Sequence, residues 1–349
     1  MSGFSSRAPQ TPDRRPPIQE PDLQRQEGLH RIRLELLSSL HVVLTTHLNA
    51  DGDGAGSEAA VAHYLRRNGV SSTIVNPTPF PDSFRFLLGK TQAWTPADEG
   101  GRKALAEADK VLVLDTAEPA RIGALMRHLD GKHVMVLDHH PPVGPNLGQP
   151  AVRDARACAT GELVYDLITA DGGGVTEEEA AGLYVAIVTD TGSFRFSNTS
   201  PRALEICAEL LRRGVDPEDM FRRLYGQRTV AGLAIRRRAL AALSVDEGHP
   251  IASIRLTHKE LMESGASSED LEGIVDIPRQ LAGIEVAVFL RELPDGKTKA
   301  SLRSNGSTDV AAVARELGGG GHVKAAGVLM SCGLDEAERQ VVALLRAVV

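Results

Sequence analysis

The chain has 349 residues, 42% hydrophobic and 24% charged, with a formal net charge of −7. That length allows two domains that each bury a core, and the acidic balance argues against broad grip on long duplex nucleic acid. No apolar stretch approaches the roughly 20 residues a bilayer span needs, and the N-terminus lacks a signal peptide's apolar core, so a cytoplasmic location is expected.

Residues 1–25 carry Pro9, Pro12, Pro16, Pro17 and Pro21 among polar residues. Such a segment cannot bury enough surface to offset its ordering entropy and is predicted to be a disordered tail. From 26 to 220, short β-branched runs alternate with helical patterns, the signature of an α/β parallel sheet. Strands are predicted at 41–46, 72–76, 111–115 and 133–138, with helices over Gly56 to Arg67 and Pro119 to Leu129. Thr176 and Glu179 form a capping-box pattern that opens a helix running towards Ile187. Residues 216–246 read as helix without strand, and 221–246 as an arginine-rich helical linker whose charges form a solvated face. In 247–349 the runs 251–254, 286–290 and 299–303 predict strands. Pro294-Asp295-Gly296 predicts a hairpin turn between the last two, and helices over 309–316 and 334–347 complete a smaller α+β domain. Cys158, Cys207 and Cys332 are odd in number and far apart, which suggests core residues rather than a disulfide framework or zinc ribbon.

Three apolar runs end in polar clusters. Val42-Val43-Leu44 leads to His47, Asp51 and Asp53. Val111-Leu112-Val113-Leu114 ends at Asp115, and Val134-Met135-Val136-Leu137 ends at Asp138-His139-His140. The helix entered at Thr176 delivers Asp190 in Thr189-Asp190-Thr191-Gly192. Open α/β sheets bind ligands at the carboxyl ends of their strands. Asp51 and Asp53 repel each other unless a cation lies between them, and Gly52, Gly54 and Gly56 suit a tight turn that presents both. An EF-hand loop from Asp51 fails at Ala55 and Ala62. A dinucleotide loop fails at Ser57, where its third glycine would stand. Taken singly, Asp115, the histidines and Asp190 read as turn starters, core residues or a helix cap. Together they imply a two-metal hydrolase, and imidazole with carboxylate suits Mn²⁺, with Mg²⁺ or Co²⁺ as substitutes. No G-x-S-x-G elbow is present.

In this order the elements resemble the DHH phosphoesterase superfamily: His47-x-x-x-Asp51-x-Asp53, Asp115, Asp138-His139-His140 and Asp190. The likeness continues into Ser301-Leu302-Arg303-Ser304 and Gly318-Gly319-Gly320-Gly321-His322, which resemble the DHH-associated substrate-binding domain. It covers about 28 to 349 and is nearest to the branch of NrnA-type oligoribonucleases that also dephosphorylate 3′-phosphoadenosine 5′-phosphate. Ala50 stands where relatives commonly have proline.

The resemblance implies one metal held by His47, Asp51 and Asp115, and a second by Asp53, Asp115, His139 and Asp190, with Asp115 bridging. Asp138 would orient the histidines and His140 would contact the scissile phosphate. Substrate contacts are expected from Arg303, Ser304, Gly319, Gly320, Gly321 and His322, and from Arg195. The glycine stretch offers backbone N–H groups to an anion, and its bland alternative is a flexible turn. Phe194 and Phe196 are expected to pack in the core, with stacking on a base as the alternative. Short single-stranded RNA or nucleotides are the implied substrates, with a homodimer as the implied assembly and no membrane partner. Cleavage of cyclic di-AMP, or noncatalytic nucleotide binding on the same fold, are the competing readings.

Overall fold

The computed structural model describes residues 22–141 and 146–349, which form two compact units divided between Leu224 and Tyr225. Residues 1–21 of the predicted tail lie outside the described residues. Its last part differs from expectation, because Leu23–Leu37 is helix α1, capped by Asp22. Leu29, Ile32 and Leu36 recur at helical spacing and are buried, and burial of that stripe stabilises the helix where its polar composition does not.

The first unit continues with β1 (His41–Thr45), α2 (Gly52–Arg67), β2 (Ser71–Val75), β3 (Ala93–Trp94), α3 (Glu99–Glu107), β4 (Lys110–Leu114), β5 (His133–Asp138) and β6 (Ala151–Arg153). Helices α4 (Thr160–Thr169), α5 (Glu177–Asp190), α6 (Pro201–Arg212) and α7 (Pro217–Tyr225) follow. The six strands are all parallel, in the order β3-β2-β1-β4-β5-β6. Alternate residues face two cores: Val42, Leu44, Leu112 and Met135 pack with α1, α2, α4 and α5, while Val43, Val111, Val113 and Val136 pack with α3 and the segment after β4. Both faces are covered, which is why these strands read as continuous apolar runs. The chain reverses direction across the sheet between β1 and β4, so the carboxyl ends of those strands open a crevice at the switch point. The predicted helix over Pro119 to Leu129 is instead 3-10 turns over Pro119–His128, broken where Gly123 takes φ 52°.

Gly52, Gly54 and Gly56 lie inside α2 rather than in a turn, so their role is close approach. A Cβ on Gly56 would stand 2.4 Å from the carbonyl oxygen of Gly182 in α5, and one on Gly182 would stand 2.6 Å from that of Gly56. The two helices therefore touch backbone to backbone. Gly56→Ala should force them apart and cost about 1–3 kcal/mol or more, read as a lower midpoint in denaturant unfolding; an unchanged midpoint would show that the contact has slack.

The second unit holds α8 (Val230–Ala241), β7 (Leu243–Val245), β8 (Ile251–Leu256), α9 (His258–Ser264), β9 (Val286–Glu292), β10 (Thr298–Ser304), α10 (Val310–Glu316), β11 (Gly320–His322), β12 (Ala325–Met330) and α11 (Leu334–Arg346). Its sheet runs β11-β12-β10-β9-β8-β7, parallel only between β8 and β9. Sequence patterning places no strand in 216–246, yet Leu243–Val245 pairs with β8. Helix α8 buries Ile235 and Ala239 against Ile254, Leu256 and Phe289. An apolar stripe hidden among arginines is what the charge pattern conceals. Among the described residues no helix is long and apolar enough to cross a membrane.

Candidate metal centre

Three strand ends and three helix ends converge at the β1–β4 crevice. Asp51 caps α2, its Oδ1 accepting the N–H groups of Asp53 and Gly54 at 3.1 Å, and its Oδ2 lies 3.6 Å from His47 Nε2. Asp115 follows β4 in the left-handed region, at φ 62°. Its Oδ2 stands 3.3 Å from His47 Nε2 and its Oδ1 3.6 Å from His139 Nε2. His139 Nε2 is also 3.7 Å from Asp53 Oδ2 and 3.6 Å from Asp190 Oδ2. Ligand atoms of His47, Asp51 and Asp115, and those of Asp53, His139 and Asp190, each lie within 4.8 Å of one another. His140 joins Asp115 and His139 in a third such group. All six residues singled out as ligands, and His140, are thus brought together.

The residues fit a divalent ion. Ligands held ~2.1 Å from one ion at right angles stand about 3 Å apart, close to the separations here. His47 Nδ1 is 2.9 Å from the Leu48 carbonyl, which places its proton there and turns Nε2 inward. That Nε2 is buried without a well-formed hydrogen bond and faces the Asp115 and Asp51 oxygens at 3.3 and 3.6 Å, a donor set that a shared cation would complete. A backbone carbonyl behind a ligating imidazole is the usual support at a metal.

Asp53 is almost fully buried, accepting the N–H groups of Thr160 at 2.6 Å and Gly161 at 2.9 Å, and the Ser57 hydroxyl at 3.2 Å. The N-terminus of α4 thus compensates this carboxylate. Thr160 also donates its hydroxyl to Asp115 Oδ1 at 2.9 Å, and Asn198 donates to Asp190 Oδ2 at 3.1 Å. Asp138 accepts from His140 Nδ1 at 2.8 Å and from the His140 N–H at 3.0 Å. Behind β1, Asn76 accepts the Thr46 N–H at 3.1 Å and donates to Glu58 at 2.9 Å; burial lifts Glu58 to about 8. Sequence reasoning missed Thr160, Gly161, Asn198, Asn76 and Glu58. None carries a local signal, and Thr160 is 107 residues from Asp53.

Electrostatics in the cluster oppose an ion-free state. Desolvation disfavours charge on His47, but the carboxylates of Asp115 and Asp51 outweigh it and raise the imidazole to about 10. Desolvation, with the charges of Asp115, Asp190 and Asp51, pushes the Asp53 carboxyl well up. Desolvation, countered by His139, still leaves Asp190 at about 6. At neutral pH His47 therefore holds a proton that a metal must displace, and the Asp53 carboxyl takes one up more readily than an ordinary carboxylate does. Metal uptake is expected to release protons and to tighten from pH 6 to pH 9, checked by titration calorimetry in buffers of different ionisation heat. A flat affinity over that range would contradict the assignment. Desolvation pushes the Cys207 thiol up to about 12 and the Cys158 thiol higher still, so neither is a nucleophile.

The expected substrate contacts are placed less simply. Arg303, half-buried on β10, donates to the Leu302 carbonyl at 3.1 Å, and buried Ser304 turns its hydroxyl to the Gly306 carbonyl at 3.4 Å. Gly318 ends α10 at φ 82°, while Gly319 and Gly321 face the β12 backbone, where a Cβ would come within 2.3 and 2.5 Å of carbonyl oxygens. Gly320 alone of the four combines β11 pairing with open space at its Cβ position. His322 lies on β11, and its side chain is outside the described residues. Arg195 donates to the Gly192 carbonyl at 2.6 Å. Phe194 packs against the first core, whereas Phe196 is 45% exposed and so is not the core residue expected.

Comparison with known proteins gives the same order of motifs a family. The model described as DHH family, N-terminal domain, matches residues 41–187, and the DHHA1 domain matches residues 251–349. The bifunctional oligoribonuclease and PAP phosphatase NrnA of Thermus thermophilus is 32% identical over 320 residues, 90% of this chain and 93% of the relative. The Bacillus subtilis protein of the same name is 28% identical over 85% of this chain and 91% of its own length. A solved exopolyphosphatase-related protein from Bacteroides fragilis superposes with a TM-score of 0.88 at 26% identity, covering 92% of this chain and 96% of that one. With its strand-end cluster, its second sheet and these matches, the chain belongs to the DHH family and carries the DHHA1 domain.

Proposed function

We propose that this chain is a two-metal phosphoesterase that hydrolyses short oligoribonucleotides and 3′-phosphoadenosine 5′-phosphate, with Mn²⁺ as its working ion. The observation that carries this reading is Asp115, whose two oxygens face separate ligand sets, Oδ2 towards His47 and Oδ1 towards His139. The names of the relatives above supply the substrate class. On this reading residues 26–220 perform the chemistry and 247–349 grip the substrate.

His47, Asp51 and Asp115 would hold one ion, and Asp53, Asp115, His139 and Asp190 would hold the other. Paired divalent ions supply an acidified water and neutralise charge growing on phosphoryl oxygens. The chain supplies rigidity: the N–H groups of Thr160 and Gly161 fix Asp53, and Asn198 fixes Asp190. Asp138 holds His140 at Nδ1, which orients the ring beside the centre for the scissile phosphate. Arg303, Ser304, Gly319, Gly320, Gly321 and His322, with Arg195, would select the substrate through its anionic end.

The deciding experiment is turnover with Mn²⁺ on a labelled RNA dinucleotide, a longer single strand, linear and cyclic di-AMP, and 3′-phosphoadenosine 5′-phosphate. Release of mononucleotide or phosphate from the short substrates supports the reading. Preference for cyclic di-AMP would transfer it to that substrate, and inactivity of the metal-loaded protein on all of them would overturn it.

A further inference from the structure

The geometry points to Arg121 as a further catalytic residue, a guanidinium clamp for the phosphoryl group; this rests on the phosphoester reading above. Arg121 lies in the 3-10 segment Pro119–His128 that follows Asp115. Its carbonyl accepts the Leu48 N–H at 2.7 Å, which stitches this segment to the loop between His47 and Asp51. Next to that contact the chain turns sharply at Gly123, whose Cβ position lies 3.4 Å from the Leu48 side chain. The segment is therefore held against the metal cluster by main-chain contacts rather than by the arginine itself.

The guanidinium Nη1 reaches 3.4 Å from His140 Nε2, and His140 Nδ1 is 2.8 Å from Asp138. With its proton on Nδ1, the imidazole donates to Asp138 and accepts from Arg121, so the row Asp138–His140–Arg121 sets the orientation of the fork. Among the described residues, no carboxylate lies within 4.0 Å of this guanidinium, although five aspartates crowd the centre beside it. The other arginine at the centre is already committed: Arg153 Nε is 3.6 Å from Asp138, and its remaining nitrogens bond Pro141 and Asn146. A cation left without an acidic partner at an acidic crevice is placed for an anion that arrives. A planar fork matches two non-bridging phosphoryl oxygens, which gain charge as the bond to the departing oxygen breaks.

The test compares the wild type with Arg121→Ala, Arg121→Gln and Arg121→Lys. Mn²⁺ binding followed by calorimetry should stay within about twofold, because the arginine holds no ion. Turnover of the RNA dinucleotide by the alanine variant should fall ~10²–10³-fold, the usual cost of removing one charge-stabilising donor, with the loss carried mainly by kcat. Lysine should recover part of it, and added guanidinium should restore activity to the alanine variant, which a merely structural residue would not allow. Inorganic phosphate bound to the Mn²⁺-loaded protein should weaken at least tenfold in the alanine and glutamine variants. Should the alanine variant misfold, the glutamine and lysine variants carry the same comparison. Unchanged kcat and phosphate affinity in a folded variant would overturn the inference, as would loss of Mn²⁺ binding alongside activity. The phosphate arm needs no turnover: a wild type that binds phosphate through Arg121 yet cleaves no phosphoester would defeat the proposed function alone.

Discussion

Replacing Asp115 by asparagine is expected to remove metal-dependent turnover while leaving the fold intact. The residue sits at φ 62°, a conformation that asparagine tolerates far better than alanine does, so the substitution isolates charge from backbone strain. What is lost is the one carboxylate that faces both ligand sets. Two-metal stabilisation of the transition state is worth several kcal/mol, which corresponds to ~10³-fold or more in rate. The same change relieves repulsion, because Asp115 is buried beside Asp53 and Asp190. The metal-free variant should therefore melt no lower than the metal-free wild type, while the rise in melting temperature that Mn²⁺ gives the wild type should shrink sharply. Thermal melts with and without Mn²⁺, alongside turnover, read both halves. A variant that keeps both its rate and its Mn²⁺ stabilisation would remove Asp115 from the centre.

Arg25→Ala should be the most damaging substitution away from the metal cluster. Arg25 is 6% exposed and meets Asp154 at 3.4 Å, Glu162 at 3.0 Å and Asp166 at 2.5 Å. Removing the cation leaves this acidic cluster with only Arg156 at Asp154 and Arg202 at Glu162 and Asp166, so the cost approaches the about 3–5 kcal/mol of breaking a buried pair. The sign with pH follows: Arg25 favours the charged forms of Asp154 and Asp166, so without it they take up protons more readily in the folded chain, and the deficit is full at neutral pH and narrows as pH falls into the carboxylate range. The effect reaches the centre too, since Glu162 accepts the Cys158 N–H at 3.0 Å just before α4 begins. Denaturant unfolding at pH 7 and pH 5 checks it; equal losses at the two values would contradict the charge argument.

Strand positions were legible because both faces of the first sheet are covered, which makes β1, β4 and β5 continuous apolar runs ending in candidate ligands. The Thr176–Glu179 capping box was legible because its signal spans only three residues, and both of its hydrogen bonds are present. Helix α4 was not: it begins without a capping side chain, because its first N–H groups are taken by Asp53 from across the fold. Arg121 was hidden in the same way, its importance lying in a neighbour, His140, 19 positions away. The glycines were read for their freedom to turn, whereas Gly56 and Gly182 are needed for their lack of a side chain. In each case the missing information is a long-range contact, which local composition does not encode.

The way α4 addresses Asp53 has a consequence for how the protein acquires its ion. Main-chain donors orient Asp53 and the Thr160 hydroxyl orients Asp115, against the mutual repulsion of the cluster. An empty centre of this kind remains a folded receptor, unlike small domains that collapse only around their metal. Loading and unloading then proceed at the pace of ligand dissociation instead of the pace of unfolding. On the proposed reading, which ion resides there would follow supply and intrinsic preference at the moment of exchange.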